Sequence, residues 1–282
     1  SMKVNYLKRT KGKMTAVATI TPDTGCPSAA NWLQAKLEAP QAVTFDVTAA
    51  CSGFIYGLNV ASGMIAHGTA RTALVIGAET LSRVVDWADR GTCILFGDGA
   101  GAVVLQASDM PGGVMSNVLR SDGSGRDLLV VPTVGSHDAH FPGAGLTPDT
   151  AMHKMTMNGR EVFRFATRVM KDSVLEAIEK ADLAIDDIDW VIPHQANQRI
   201  IMRAAKNLNI PEDRFICNVD RYGNTSAASI PIALAEAAQS GRLKPGDIVV
   251  LVGFGGGLTW GAIVLQWGVV EPAEKDRMTS LR

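Results

Sequence analysis

The run Ala73-Leu74-Val75-Ile76-Gly77 constrains this chain more than any other stretch. It is continuously apolar, with no polar alternation, so a strand formed there must be covered on both faces. Such a strand belongs inside α/β layers. Its surroundings agree. Thr15 to Ile20 reads as a strand and Ser28 to Leu37 as a helix. Val43 to Val47 is a short buried strand. Ser52 to His67 is a helix of small residues closed by Gly68 at its C′ position. Ala100 to Gln106 follows as a strand after the turn Gly97-Asp98-Gly99. With 46% hydrophobic residues in 282, the chain can fill one large domain or two halves.

The alternation then pauses. From about Asp109 to Asn158 the chain is rich in Gly, Pro, Asp and Ser and shows strand-like fragments only. His137 to Thr150 reads as a long loop, of the kind that often covers a functional site. A long helix begins near Gly159, with Phe163, Ala166, Met170, Val174 and Ile178 as its apolar stripe. Trp190 to Ile192 is a short strand and Asn197 to Leu208 an amphipathic helix. Thr225 to Ser240 is a third helix, capped by Asn224 or Thr225 and followed by Gly241. Ile248 to Val252 and Trp260 to Gln266 form a hairpin across a glycine cluster. Each half holds a helix, a buried strand, a helix and strands closing on glycines, without a repeat of fixed period.

Composition removes several functions. A net charge of −1 gives no overall field for nucleic acid or membrane. Cys26, Cys51, Cys93 and Cys217 contain no CxxC pair, which argues against a zinc site or a disulfide framework. Met14 to Ile20 is too short and too polar for a signal peptide or a membrane span. A soluble protein of a reducing compartment, the cytoplasm, is expected.

Four places look chemical. Cys51 follows the Val43 strand and opens a helix, flanked only by small residues that let a substrate approach. The positive end of that helix favours thiolate, the nucleophilic form, and covalent catalysis would follow. A buried structural cysteine is the equal alternative. His194, in Pro193-His194-Gln195-Ala196-Asn197, stands at a strand's carboxyl end, where open α/β sheets place ligands. A lone histidine is more often structural. Asn224 either donates a side-chain N–H or caps its helix, and the local pattern favours capping. Gly253-Phe254-Gly255-Gly256-Gly257 lets backbone N–H groups converge on one oxygen, or is a tight hairpin. It lacks the P-loop ending. Arg160, Arg164, Arg168 and Lys171 line one helix face and Arg199, Arg203 and Lys206 the next. Two basic stripes on a near-neutral chain suggest an acidic partner, beside the common case of a solvated face.

Taken together, Ala49-Ala50-Cys51-Ser52-Gly53-Phe54, Asp89-Arg90-Gly91-Thr92, Phe96-Gly97-Asp98-Gly99-Ala100-Gly101-Ala102, Val191-Ile192-Pro193-His194-Gln195-Ala196-Asn197, Arg221-Tyr222-Gly223-Asn224-Thr225-Ser226-Ala227 and Phe254-Gly255-Gly256-Gly257-Leu258-Thr259-Trp260-Gly261 resemble the β-ketoacyl-acyl-carrier-protein synthase III family. The resemblance runs from about Ala16 to Trp267. It implies the thiolase fold, a five-layered αβαβα sandwich of two similar halves, here 1–112 with the cysteine and 113–282 with the histidine and asparagine. It implies a homodimer, with no metal and no cofactor, that uses acyl-coenzyme A and malonyl-acyl carrier protein as substrates. Cys51 would carry the acyl group. His194 and Asn224 would bind the malonyl thioester oxygen. The N–H groups of Cys51 and Gly256 would form the oxyanion hole, and Phe254 would shield the site. Arg90 and Arg199 match coenzyme A and pantetheine contacts, while Arg164, Arg199 and Lys206 match carrier-docking positions.

The sequence departs from the family twice. The family carries about sixty further residues before Ala16, judged against its usual length, so the N-terminal half is expected to be incomplete. Cys26 stands where many relatives have a Phe that closes the acyl pocket across the dimer, so a deeper pocket for primers longer than acetyl is expected. Three other readings compete with a fatty-acid-initiating condensing enzyme. They are a starter-unit synthase of secondary metabolism, a truncated inactive scaffold, and a cysteine hydrolase, against which Phe254 and the asparagine argue.

Overall fold

The computed structural model describes residues 2–3, 14–20, 27–109, 112–132 and 154–268, the first two stretches as backbone strands only. In chain order the elements are β1 (Met2–Lys3), β2 (Met14–Ile20), α1 (Ala29–Lys36), β3 (Val43–Asp46), α2 (Gly53–Ala66), β4 (Thr72–Thr80), β5 (Asp98–Gln106), β6 (Gly113–Ser121), β7 (Leu129–Val130) and β8 (Thr156–Met157). Then come α3 (Gly159–Lys180), β9 (Trp190–Pro193), α4 (Gln198–Leu208), α5 (Val219–Tyr222), α6 (Ser229–Gln239), β10 (Ile248–Gly255) and β11 (Thr259–Gln266). Short 3₁₀ turns precede α2 at Ala50–Ser52 and α6 at Ser226–Ala228.

Two main sheets result, ordered β1-β5-β4-β2-β3 and β6-β11-β10-β9. In the first, β2 runs parallel to both β3 and β4, and β5 returns antiparallel to β4. In the second, β9 is parallel to β10, and β10 and β11 form the expected hairpin, in register from Ile248↔Gln266 to Gly255↔Thr259. The apolar run of β4 is buried on both faces, from Ala73 to Ile76. The helices explain this. Ala30 of α1 packs with Leu74 and Ile76, while Phe54, Ile55 and Leu58 of α2 share a core with Ala73 and Val75. That core also holds Ile230, Ala233 and Leu234 of α6 and reaches Val249, Leu251, Ile263 and Leu265 of the second sheet. The alternate residues Val250, Val252, Ala262 and Val264 face α3 and α4 instead. Phe54, Ile55 and Leu58 are completely buried, and each such side chain contributes about 1.5–3 kcal/mol.

Local signals account for the boundaries. The Asp46 carboxylate, at the end of β3, accepts the N–H groups of Ala29 (2.8 Å) and Ala30 (3.0 Å) and so completes the start of α1. Asn158 caps α3 and Asn197 caps α4, each through its side chain. Gly68 and Gly241 close α2 and α6 with φ of 78° and 73°, where a side chain would be strained.

Three expectations change. Of the expected Gly97-Asp98-Gly99 turn, Asp98 and Gly99 are the start of β5, and Gly97 directly precedes it. The glycines of β5 serve packing, because a Cβ on Gly99 would meet Ile232 Cδ1 at 2.8 Å and one on Gly101 would meet Ile232 N at 2.8 Å. The Asp109 to Asn158 region contains a full nine-residue strand, β6, paired along β11. In α3, Phe165 and Val169 are buried with Ala166, Met170, Val174 and Ile178, while Phe163 is exposed. The loop expected at His137 to Thr150 and the acyl-pocket residue Cys26 lie outside the described residues.

Candidate active site

The carboxyl ends of β3, β9 and β10 converge. β3 leads through Val47 to Ala49 into Cys51, β9 ends directly before His194, and β10 ends in Phe254-Gly255. Asn224 arrives from the turn before α6, fixed by a parallel bridge to Phe96. Its N–H donates to Leu95 O (2.8 Å), and its carbonyl accepts from Gly97 N (2.9 Å). Cys51, His194, Asn224, Phe254 and Gly255 line one cavity of about 180 Å³. Leu95, Phe96, Leu129, Met157, Phe163 and Ile200 supply apolar wall.

Cys51 is buried in the turn that starts α2, and the residue before it, Ala50, has φ of 47°. Burial pushes its thiol up to about 12, against a smaller lowering by a hydrogen bond with the Ser226 side chain. The thiolate expected from the helix terminus is therefore not the resting form. A helix end contributes about 0.3–2 kcal/mol and one pKa unit is about 1.4 kcal/mol, so loss of water outweighs the dipole here.

His194 is equally buried, and burial lowers its imidazole to about 3. It is neutral at any ordinary pH. Its Nδ1 lies 2.7 Å from Ser229 Oγ, which also accepts the Gln195 N–H at 3.3 Å. The ring meets Phe254 edge-on, with centroids 5.2 Å apart. Phe254, 3% exposed, separates the imidazole from Phe165, whose ring it also meets edge-on.

Asn224 lines the cavity. Its Oδ1 accepts the Ser226 N–H at 2.8 Å, which leaves the Nδ2 donor as the other branch of the amide. The helix cap favoured by the local sequence pattern is not made, since the 3₁₀ turn and α6 begin after Thr225 and Ala228 without a side-chain cap, and the amide oxygen closes a local turn instead. The loop before it is clamped by Glu236 of α6, which accepts from Asn218 Nδ2 (2.9 Å), Tyr222 Oη (2.6 Å) and both terminal nitrogens of Arg221 (3.0 and 2.6 Å). Desolvation works to raise the Glu236 carboxyl, and these bonds outweigh it and hold it below the usual range.

The glycine loop comes within contact of the nucleophile. A Cβ on Gly255 would lie 2.6 Å from Cys51 N, and one on Gly256 would lie 2.9 Å from Leu129 O. Gly255 lines the cavity, and Gly256 follows it half-buried.

The cations lie outside. Arg90 is exposed in a turn beside the cavity-lining Gly91. That turn is set by Asp89, whose carboxylate accepts the Thr92 hydroxyl and the Gly91 N–H, both at 2.8 Å. Arg199 stacks its guanidinium over Phe163, 5.9 Å from the ring centroid, at the cavity's edge. Arg160, Arg164, Arg199 and Arg203 line one open groove with Phe163 and Thr167. The two helical stripes therefore meet in part. Arg164 is paired with Glu161 at 3.0 Å, and Lys206 is exposed beyond the groove-lining set.

The sequence reading assigned no role to Ser226, Ser229, Glu236 or Thr259, although Ser226 and Thr259 stand within the quoted motifs. Each acts through a backbone or side-chain contact made only in the fold. Among the described residues no group of three or more His, Cys, Asp or Glu could hold a metal ion, and no helix is long and apolar enough to cross a membrane.

Two family models match the chain, 3-oxoacyl-[acyl-carrier-protein] synthase III over residues 45–123 and the C-terminal part of the same synthase over residues 178–267. A β-ketoacyl-[acyl-carrier-protein] synthase III of Desulfitobacterium hafniense is 53% identical over 251 residues, covering 89% of this chain and 75% of the relative. The crystal structure of the β-ketoacyl-[acyl-carrier-protein] synthase III from Thermus thermophilus superposes with a TM-score of 0.82 at 47% identity, covering 92% of this chain and 78% of that one. The 3-oxoacyl-[acyl-carrier-protein] synthase III from Aquifex aeolicus does so with a TM-score of 0.81 at 44% identity, covering 91% and 77%.

Proposed function

The chain belongs to the β-ketoacyl-acyl-carrier-protein synthase III family, and from that membership we propose how its own residues carry out the family's reaction. It is an acyltransferase, a condensing enzyme that initiates fatty-acid synthesis by condensation with malonyl-acyl carrier protein. Cys51 attacks the thioester of an acyl-coenzyme A primer. The acyl–sulfur bond to coenzyme A breaks, and the thiol proton leaves on the departing coenzyme A sulfur. Malonyl-acyl carrier protein then enters the same cavity and loses carbon dioxide. The resulting enolate attacks the acyl-cysteine, giving 3-oxoacyl-acyl carrier protein, and the released thiolate takes a proton from solvent. Two substrates in turn on one sulfur give ping-pong kinetics.

One observation carries this reading. In the cavity that holds Cys51, Asn224 Oδ1 is occupied by the Ser226 N–H, and His194 Nδ1 by Ser229 Oγ. The remaining polar atoms of these two side chains are Asn224 Nδ2 and His194 Nε2. When the Ser229 hydroxyl donates a hydrogen bond to Nδ1, the ring proton is on Nε2, and Nδ2 and Nε2 are both donors. A pair of neutral donors suits an enolate oxygen, which gains negative charge as carbon dioxide departs. A histidine held near 3 does not become charged in this role. The thioester oxyanion formed at Cys51 is assigned to the N–H groups of Cys51 and Gly256. Phe254 keeps water off the acyl-cysteine, which separates this chemistry from hydrolysis.

The arginine groove of α3 and α4 is assigned to the carrier protein, an acidic partner, with Arg164, Arg199 and Lys206 as its cations and Arg199 also guarding the pantetheine entrance. Arg90 is assigned to the coenzyme A nucleotide. We also assign the five-layered αβαβα arrangement, with halves 1–112 and 113–282, on the packing of α1, α2 with α6, and α3 with α4 about the two sheets. A homodimer is supported by β3, which ends the first sheet with Val43 and the nearby Trp32 exposed. A cytoplasmic location accords with the composition.

Mass spectrometry after mixing with acyl-coenzyme A tests the reading. We expect an acyl adduct on Cys51 that malonyl-acyl carrier protein discharges. Protein that stays unmodified, or an adduct that water alone removes, refutes it.

A further inference from the structure

Two hydroxyls stand behind the nucleophile, and the reaction just described uses neither. Thr259 opens β11, and its Oγ1 lies 3.0 Å from Ala49 O and 3.1 Å from Gly256 O. Ser52, completely buried, places its Oγ 2.7 Å from Thr259 Oγ1 and 2.7 Å from Ala49 O. Two hydroxyl protons therefore face two backbone carbonyls. The bridge forms when Ser52 Oγ donates to Thr259 Oγ1 and Thr259 donates to Gly256 O, with Ala49 O accepting the Ser52 N–H at 3.2 Å. In that arrangement the hydroxyl pair ties the start of the nucleophile turn to the glycine loop, between residues about two hundred positions apart in sequence.

What it ties is significant. Ala49 precedes Ala50, whose φ of 47° swings the chain so that Cys51 sits in the cavity wall. Gly256 follows Gly255, whose Cα approaches Cys51 N closely enough that a methyl group would collide at 2.6 Å. Sheet pairing fixes β10 against β11, and α2 holds the far side of Cys51. Among the described residues, the hydroxyl bridge is the polar link between the turn and the loop.

We propose that Thr259, backed by Ser52, is the positioning residue of the oxyanion hole, setting the spacing between the Cys51 and Gly256 N–H groups. This rests on the reading that those two groups receive the oxyanion. Preorganised donors are effective only at the position the oxyanion will occupy, and a small misplacement costs about 10- to 100-fold in rate. Thr259 touches no substrate and acts through the backbone.

Thr259→Val keeps the side-chain shape and removes the hydroxyl. Two rates are compared in the full chain, acylation of Cys51 by acyl-coenzyme A and alkylation of Cys51 by iodoacetamide. Alkylation forms no oxyanion. Thr259→Val is expected to slow acylation about tenfold or more while alkylation stays within about twofold, and Thr259→Ser restores acylation. Ser52→Ala gives the same split, more weakly, and serves if the valine variant does not fold. Wild type and Thr259→Val acylated at equal rates, or acylation and alkylation falling together, overturn the proposal while the functional reading stands. Wild-type protein that takes no acyl group at all overturns both.

Discussion

The cavity has two sides held in opposite ways. The nucleophile side, Ala49 to Ser52 against Gly255 and Gly256, is joined by buried hydroxyls and by backbone contact that only glycine permits. The donor side, Asn218 to Asn224, is joined to α6 by charge at the surface. Arg221 and Glu236 meet at 2.6 Å with side chains 54% and 29% exposed. The first arrangement has no freedom to adjust, and salt does not reach it. The second is screened by salt and is backed by the Leu95 and Gly97 backbone bonds to Asn224. Rigidity is thus concentrated where we propose that a tetrahedral oxyanion meets the Cys51 and Gly256 N–H groups. The donor loop keeps a softer outer fastening.

The sharpest attack on this comparison is Gly255→Ala. The added methyl group would overlap Cys51 N and press on Ala50 Cβ at 3.2 Å. We expect acylation of Cys51 to fall about 10²- to 10³-fold, with a stability loss of about 1–3 kcal/mol read from denaturant unfolding. Near-normal acylation would show that the nucleophile side yields after all.

Acidity gives the next largest effect. With Cys51 raised to about 12, its thiolate fraction is small at neutral pH and grows as the pH rises. Iodoacetamide alkylation should climb about tenfold per unit from about pH 7 to 9 without levelling off. A plateau within that range would mean that the helix terminus prevails over burial, and the two sides would then differ less than the geometry implies.

The smallest effect belongs to the donor side. Glu236→Gln loses the ion pair with Arg221 and keeps the shape. Condensation with malonyl-acyl carrier protein should fall about two- to fivefold at low salt, converge with wild type at high salt, and leave Cys51 acylation unchanged. A loss that salt does not alter would place the clamp among the rigid parts.

Much of this was legible beforehand, for identifiable reasons. The β4 run, the α4 stripe and the β10–β11 hairpin are repeating patterns, and repeating patterns report burial. Cys51, His194 and Asn224 were recognisable within their motifs. Other features had no such signature. Gly99 looks like a turn glycine, yet it lies in β5, where α6 approaches too closely for a Cβ. Phe163 fits the apolar spacing of α3 as well as Phe165 does, yet it opens onto the cavity's edge under Arg199. The acidity of Cys51 was read with the wrong sign, because a local sequence displays a helix terminus but not the loss of water around it.

The sequence by itself determined the alternating elements, the α/β class, the family and the residues at which strands end in chemistry. These are properties of neighbours along the chain, set by side-chain size, periodicity and backbone preference. Only the tertiary structure decided that the Ser229 hydroxyl occupies His194 and that Thr259 stands between Ala49 and Gly256. Those are bonds between segments that meet only when both sheets close on the helices between them. Their geometry depends on distances that no single stretch of chain contains.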